Sequence, residues 1–165
     1  MTSTRALSDA ALAALLEEDA PYGDLTTQVL GIGAAPATLS FTARGEMTVC
    51  GGEEAARLFE LAGARARVLA PSGSRSEGLL LTAEGDAASL HRAWKVAQVL
   101  VELYSGIASA TAALVASLRA AGFATPLACT RKHFSRHQGH ERQGGSLRRW
   151  LPAPPGPVGN PAALP

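Results

Sequence analysis

The chain has 165 residues, 47% of them apolar and 18% charged, with a formal net charge of +1. That length and composition fit one packed domain, or a small domain plus a fragment, and exclude wholesale disorder. The near-neutral charge excludes a whole-chain nucleic-acid binder, and two cysteines, Cys50 and Cys129, without metal-ligand spacing exclude a disulfide framework.

In chain order, Met1 is followed by Thr-Ser-Thr-Arg and an Ala/Leu stretch ending in Glu17, Glu18 and Asp19, which does not read as a secretory leader. With reduced thiols, this points to the cytoplasm. Ser8 is placed to cap a first helix carrying Leu12, Leu15 and Leu16 on one face, and Pro21 ends it. Residues 38–44 alternate, with Leu39, Phe41 and Ala43 on one side, and Met47 and Val49 suggest a second short strand. Ala55, Leu58, Phe59 and Ala62 recur at helical spacing until Gly63. Strands follow at 65–70 and 79–84, joined through a Pro71-Ser72-Gly73-Ser74 turn. Asp86 starts a long helix with Leu90, Ala93, Ala97 and Val101 along one side. A further helix is expected over 107–121, closed by Gly122, and one buried strand over 125–129. The apolar stretch 96–118 reads as a buried core helix interrupted by Gly106; Gln98 and Glu102 within it argue against a membrane span.

Composition changes at residue 135. The last 31 residues hold six of the ten prolines and carry a net charge of +3, leaving −2 on the rest. A run such as Leu-Pro-Ala-Pro-Pro-Gly-Pro supports neither helix nor central strand, so 135–165 reads as a disordered tail. Its basic stretch suits a polyanion or simply solvent.

Two places carry chemistry on residue type. Thr130-Arg131-Lys132 follows the expected last strand, where α/β folds bind ligands; a guanidinium fork beside an ammonium suits carboxylate or phosphate, although basic pairs at strand ends are also common. His133, His137 and His140 have helix-compatible metal spacing, but the glycines and prolines that follow argue against a rigid site. Asp19 and Asp24 bracket a Pro-Tyr-Gly turn and read as turn residues. No nucleotide-type glycine loop or Gly-x-Ser-x-Gly elbow occurs.

Four motifs in order resemble those of the quinolinate phosphoribosyltransferases, also called nicotinate-nucleotide pyrophosphorylases. They are Glu18-Asp19-Ala20-Pro21-Tyr22-Gly23-Asp24-Leu25-Thr26-Thr27, Cys50-Gly51-Gly52-Glu53-Glu54-Ala55-Ala56, Ser105-Gly106-Ile107-Ala108 and Thr130-Arg131-Lys132. Pro-Tyr-Gly-Asp, Leu30-Gly31-Ile32-Gly33 and Trp94-Lys95-Val96-Ala97-Gln98 resemble the ModD branch, which is associated with molybdenum transport.

The resemblance implies an α+β fold: an N-terminal sandwich domain over 1–105, the first helix and strand of an incomplete α/β barrel over 106–134, then the tail. It also implies a glycosyltransferase activity, the transfer of phosphoribose from phosphoribosyl pyrophosphate with Mg²⁺ to a pyridine carboxylate, in a homodimer without nucleic acid or membrane. Substrate binding would fall to Thr130, Arg131 and Lys132, and to Lys95, which takes the place of an arginine that the neighbouring subunit's N-terminal domain supplies. Lysine keeps the charge and loses the bidentate fork, so the resemblance does not carry over quinolinate itself as the acceptor. No catalytic residue, metal ligand or covalently bound cofactor is assigned to this chain.

After Phe134 the family's Pro-Gly-Thr-Lys and His-Arg-Leu-Gly-Leu-Ser-Glu segments do not occur. Read one base out of frame, 135–138 are compatible with the first and 153–162 with the second. The expectation is a frameshifted, truncated chain in which 1–105 folds, the remainder is poorly ordered, and turnover is absent. A dimerising or binding module without catalysis is the alternative.

Overall fold

The structure, a computed structural model, describes residues 5–128. Local chemistry accounts for the first helix. Helix α1 (Asp9–Asp19) starts where the Ser8 Oγ accepts from the Ala11 N–H, and it buries Leu12 and Leu16. A six-residue helix, α2 (Leu25–Leu30), follows; its cap is Asp24, whose carboxylate accepts from the Thr27 N–H at 2.7 Å. This helix was not expected, because two adjacent threonines and a valine are poor helix formers. The Asp24 cap at one end and left-handed Gly31 at the other hold it.

Three antiparallel strands form the main sheet. Strand β1 (Pro36–Thr42) and strand β3 (Arg65–Val68) flank the central β5 (Leu79–Asp86). Register aligns Leu39 and Ala66 with Ala83, and Phe41 and Val68 with Leu81, so two rows of apolar side chains share one face. Onto that face packs α3 (Gly52–Ala62), with Phe59 meeting Phe41 edge-on at 5.9 Å between ring centroids. Two short strands, β2 (Met47–Thr48) and β4 (Arg75–Ser76), make a separate ribbon. The second follows the Pro71-Ser72-Gly73-Ser74 turn directly, where the sequence reading has no strand.

The last element is one helix of 34 residues, α4 (Ala87–Ala120), capped by Asp86 through the Ser89 N–H. Leu90, Ala93, Ala97, Leu100, Val101 and Ser105 are buried. The sheet face, α1, α3 and this half of α4 enclose the core. The result is the expected α+β arrangement.

Three expectations require correction. The helix runs unbroken through Gly106, where the expected interruption lies. A lone glycine costs a helix only about 1 kcal/mol, and a long helix absorbs it. Residues 106–120 are therefore helical rather than poorly ordered. The buried-core reading of 96–118 holds only as far as Ser105; no residue from 106 to 120 is buried. By length and composition α4 is apolar enough to cross a membrane, while its first half faces the core. Finally, 125–128 form no strand and are mostly exposed, since among the described residues no strand lies beside them to pair with. Cys129, the end of that expected strand, lies outside the described residues.

Candidate functional site

Two of the motifs singled out in the sequence meet in the core. Ser105, 1% exposed, points its hydroxyl at the backbone of Cys50. Its Oγ accepts from the Cys50 N–H at 2.9 Å and donates to the Cys50 carbonyl at 3.2 Å. One turn further on, the Ser109 Oγ accepts from the Thr48 N–H at 2.9 Å. Two hydroxyls of α4 thus satisfy the strand-like backbone groups that lead into α3. Gly51 comes next, in the left-handed region at φ +83°, with its N–H donated to the Ser72 Oγ. A Cβ there would lie 2.5 Å from the Leu100 Cδ2, so this glycine lets α3 and α4 approach closely.

Acidic groups begin α3. Glu53 accepts from the Ser72 N–H and hydroxyl. Glu54, 2% exposed, accepts from the Ala6 N–H at 2.6 Å and so ties the segment before α1 to the core. The Cys50 thiol is pushed up to about 12, first by burial and then by the carboxylates of Glu54 and Glu53. Burial also raises the Tyr104 hydroxyl, with Cys50 and Glu54 adding to it. Neither group is poised for chemistry near neutral pH.

Lys95 sits on the opposite side of α4, exposed to solvent. It borders an open cleft of about 360 Å³ between the end of α1 and the middle of α4. Leu15, Val99, Leu103 and Tyr104 supply the apolar wall, and Glu18 and Asp19 line the α1 side. The Lys95 Nζ lies 5.9 Å from the centroid of the Trp94 ring. Trp94 meets His91 edge-on, with centroids 5.8 Å apart, and the His91 Nδ1 is 3.8 Å from the Asp24 Oδ2. The opening motif, through Asp24, and the Lys95 segment are thereby neighbours.

Of the sequence-derived candidates, Lys95 is the one the structure places. Thr130, Arg131 and Lys132 lie outside the described residues, as do His133, His137 and His140. Among the described residues no three His, Cys, Asp or Glu side chains gather to hold a metal. Sequence reasoning missed the hydroxyl clamps of Ser105 and Ser109 and the aromatic contact of Trp94. Helical numbering could have found the serines: 105 and 109 are one turn apart, on the same face.

A family model for the quinolinate phosphoribosyl transferase N-terminal domain matches residues 24–105. A protein of Rhodobacter capsulatus named pyrophosphorylase ModD is 48% identical over 128 residues, covering 76% of this chain and 49% of that protein. A Methanocaldococcus jannaschii protein named nicotinate-nucleotide pyrophosphorylase (carboxylating) is 32% identical over 117 residues, covering 71% of this chain and 41% of that one. The structure of a nicotinate-nucleotide pyrophosphorylase from Francisella tularensis superposes with a TM-score of 0.72 at 20% identity. That match covers 91% of this chain and 55% of the other. The chain thus spans about half the length of the curated relatives it matches.

Proposed function

The chain belongs to the quinolinate phosphoribosyltransferase family, and we propose that its described part is the half of such an enzyme that presents Lys95 to an anionic acceptor. The reaction of the whole assembly joins phosphoribose from phosphoribosyl pyrophosphate to a ring nitrogen of a pyridine-carboxylate-like acceptor. The nitrogen–ribose bond forms as the bond to pyrophosphate breaks. Such a step needs fixed cations around carboxylate and phosphate oxygens. In this reading Lys95 serves the acceptor carboxylate, and Thr130, Arg131 and Lys132 serve the remaining anionic groups. Both sets come together across a homodimer. Magnesium arrives with the pyrophosphate in this reading, and among the described residues no group of three His, Cys, Asp or Glu side chains gathers to hold it.

The observation that carries this reading is the placement of Lys95. It lies ten positions before Ser105 on one continuous helix, exposed on a cleft wall, while Ser105 anchors that helix in the core. A cation on a rigid, anchored helix is held where a ligand can meet it. The 165-residue polypeptide alone is expected to bind a pyridine carboxylate without turnover, because the family's Pro-Gly-Thr-Lys and His-Arg-Leu-Gly-Leu-Ser-Glu segments do not occur in it.

Titration calorimetry with pyridine-2,3-dicarboxylate, and pyrophosphate release with phosphoribosyl pyrophosphate and Mg²⁺, test the two parts. Lys95-dependent binding and no pyrophosphate release are expected. Binding that persists unchanged in Lys95→Met overturns the role of Lys95, and release by the chain alone overturns its inactivity. A second reading, a non-catalytic dimerisation module, draws on the exposed apolar side chains of α4, among them Val99, Leu103, Ile107 and Leu114.

A further inference from the structure

We propose that Trp94 is a specificity-determining residue of the acceptor subsite, its indole face stacking on a planar aromatic acid whose carboxylate Lys95 holds. The proposal rests on the reading of Lys95 just given and adds the class of ring that the subsite selects.

Trp94 is 40% exposed although it lies in the well-packed half of α4, so a large apolar ring is left facing solvent beside the cation. It is not a free rotor. His91, one turn earlier, meets it edge-on at 75°, and His91 in turn faces the carboxylate of Asp24. Asp24 is itself fixed as the cap of α2. The indole is thus braced from one edge by a chain of contacts that ends at a helix cap. The Lys95 ammonium lies toward its π-system, 5.9 Å from the centroid.

Charge sets the direction from which a ligand arrives. On the α1 side of Lys95 the cleft is lined by Glu18 and Asp19, which repel an anion. On the Trp94 side the Asp24 carboxylate already accepts from the Thr27 N–H and faces His91, which makes that side the less repulsive approach for a carboxylate. Once there, the body of the molecule lies over or beside the indole. A flat aromatic body gains stacking from that position, whereas an aliphatic acid gains only the charge.

The test is titration calorimetry of the full chain with three probes: pyridine-2,3-dicarboxylate, benzene-1,2-dicarboxylate and glutarate. Trp94→Leu is expected to weaken both aromatic acids by about tenfold and leave glutarate unchanged. Trp94→Phe, which keeps a ring, should restore most of the aromatic affinity, and Lys95→Met should abolish binding of all three. Circular dichroism and the urea midpoint establish that the variants are folded. If Trp94→Leu changes none of the three, or weakens all three alike without rescue by phenylalanine, the proposal is overturned while the Lys95 reading stands. If wild-type chain binds none of them, both fall.

Discussion

Ser105 spends its one hydroxyl on both backbone groups of Cys50, and both residues are buried. Ser105→Ala leaves a buried N–H and a buried carbonyl without that partner. It should cost about 1–3 kcal/mol in urea unfolding. Ser117→Ala removes a hydroxyl on the exposed part of the same helix and should stay within about 0.5 kcal/mol. Equal effects of the two substitutions would show that the clamp contributes nothing. The thiol beside that clamp predicts a pH dependence. An unfolded cysteine loses its proton near pH ~8.5, whereas the folded one holds it to about 12. Between those values the unfolded chain binds fewer protons than the folded chain. Stability is therefore fully retained below pH ~8.5 and declines as pH rises towards 12. Tyr104 is shifted in the same direction and steepens the decline at higher pH. Urea midpoints at pH 8 and pH 10 should differ more in wild type than in Cys50→Ala; identical pH dependence in the two would remove Cys50 from the account.

Two glycines on neighbouring elements should respond to alanine with opposite signs. Gly51 begins α3 in the left-handed region, and an added Cβ would collide with Leu100 of α4. Gly51→Ala should destabilise by about 2–4 kcal/mol, combining backbone strain with displacement of a packed side chain. Gly106 lies inside α4 with no atom within 4 Å of where a Cβ would be. Gly106→Ala should stabilise by about 0.5–1 kcal/mol through helix propensity alone. Thermal melts of both variants check the pair, and destabilisation by Gly106→Ala would mean that the helix is kinked there in solution. The same glycine shows why the sequence suggests two helices where the structure has one: a single glycine weakens a long helix without ending it. Elements whose caps and periodicity agree were legible, such as α1 behind Ser8, α3 ending at Gly63 and β1 with its alternating Leu39 and Phe41. Strand β4, two residues long, and α2, six residues long, are too short to show a period and exist because of their partners. The expected strand over 125–129 failed for the converse reason, an apolar run with no neighbour to pair with among the described residues.

At the scale of the whole molecule, the position of Lys95 was legible because it lies a fixed number of residues before the serine of a recognisable motif on one helix. Its surroundings were not legible. The surroundings of Trp94 and the acidic side of the cleft arise from how α1, α2 and α4 pack, and the buried serine clamp from how α4 meets residues 48–50; periodicity does not encode that packing. The packing also leaves α4 unevenly covered. Val99, Leu103, Ile107 and Leu114 recur at spacings of four, four and seven, which places them within one stripe of the helix. Their exposures run from 37% to 57%. A stripe of that length on an otherwise folded surface favours association. In the homodimer reading it supplies apolar area to a contact between two copies. Sedimentation velocity over a tenfold or larger range of concentration should therefore show reversible self-association. Leu103→Glu combined with Leu114→Glu should shift the chain to monomer without loss of helix signal, because both side chains face away from the core. The same double variant should reduce binding of a hydrophobic dye. A wild-type chain that remains monomeric at every concentration, or a charged variant that associates as strongly as the parent, would show that this stripe is not where copies meet.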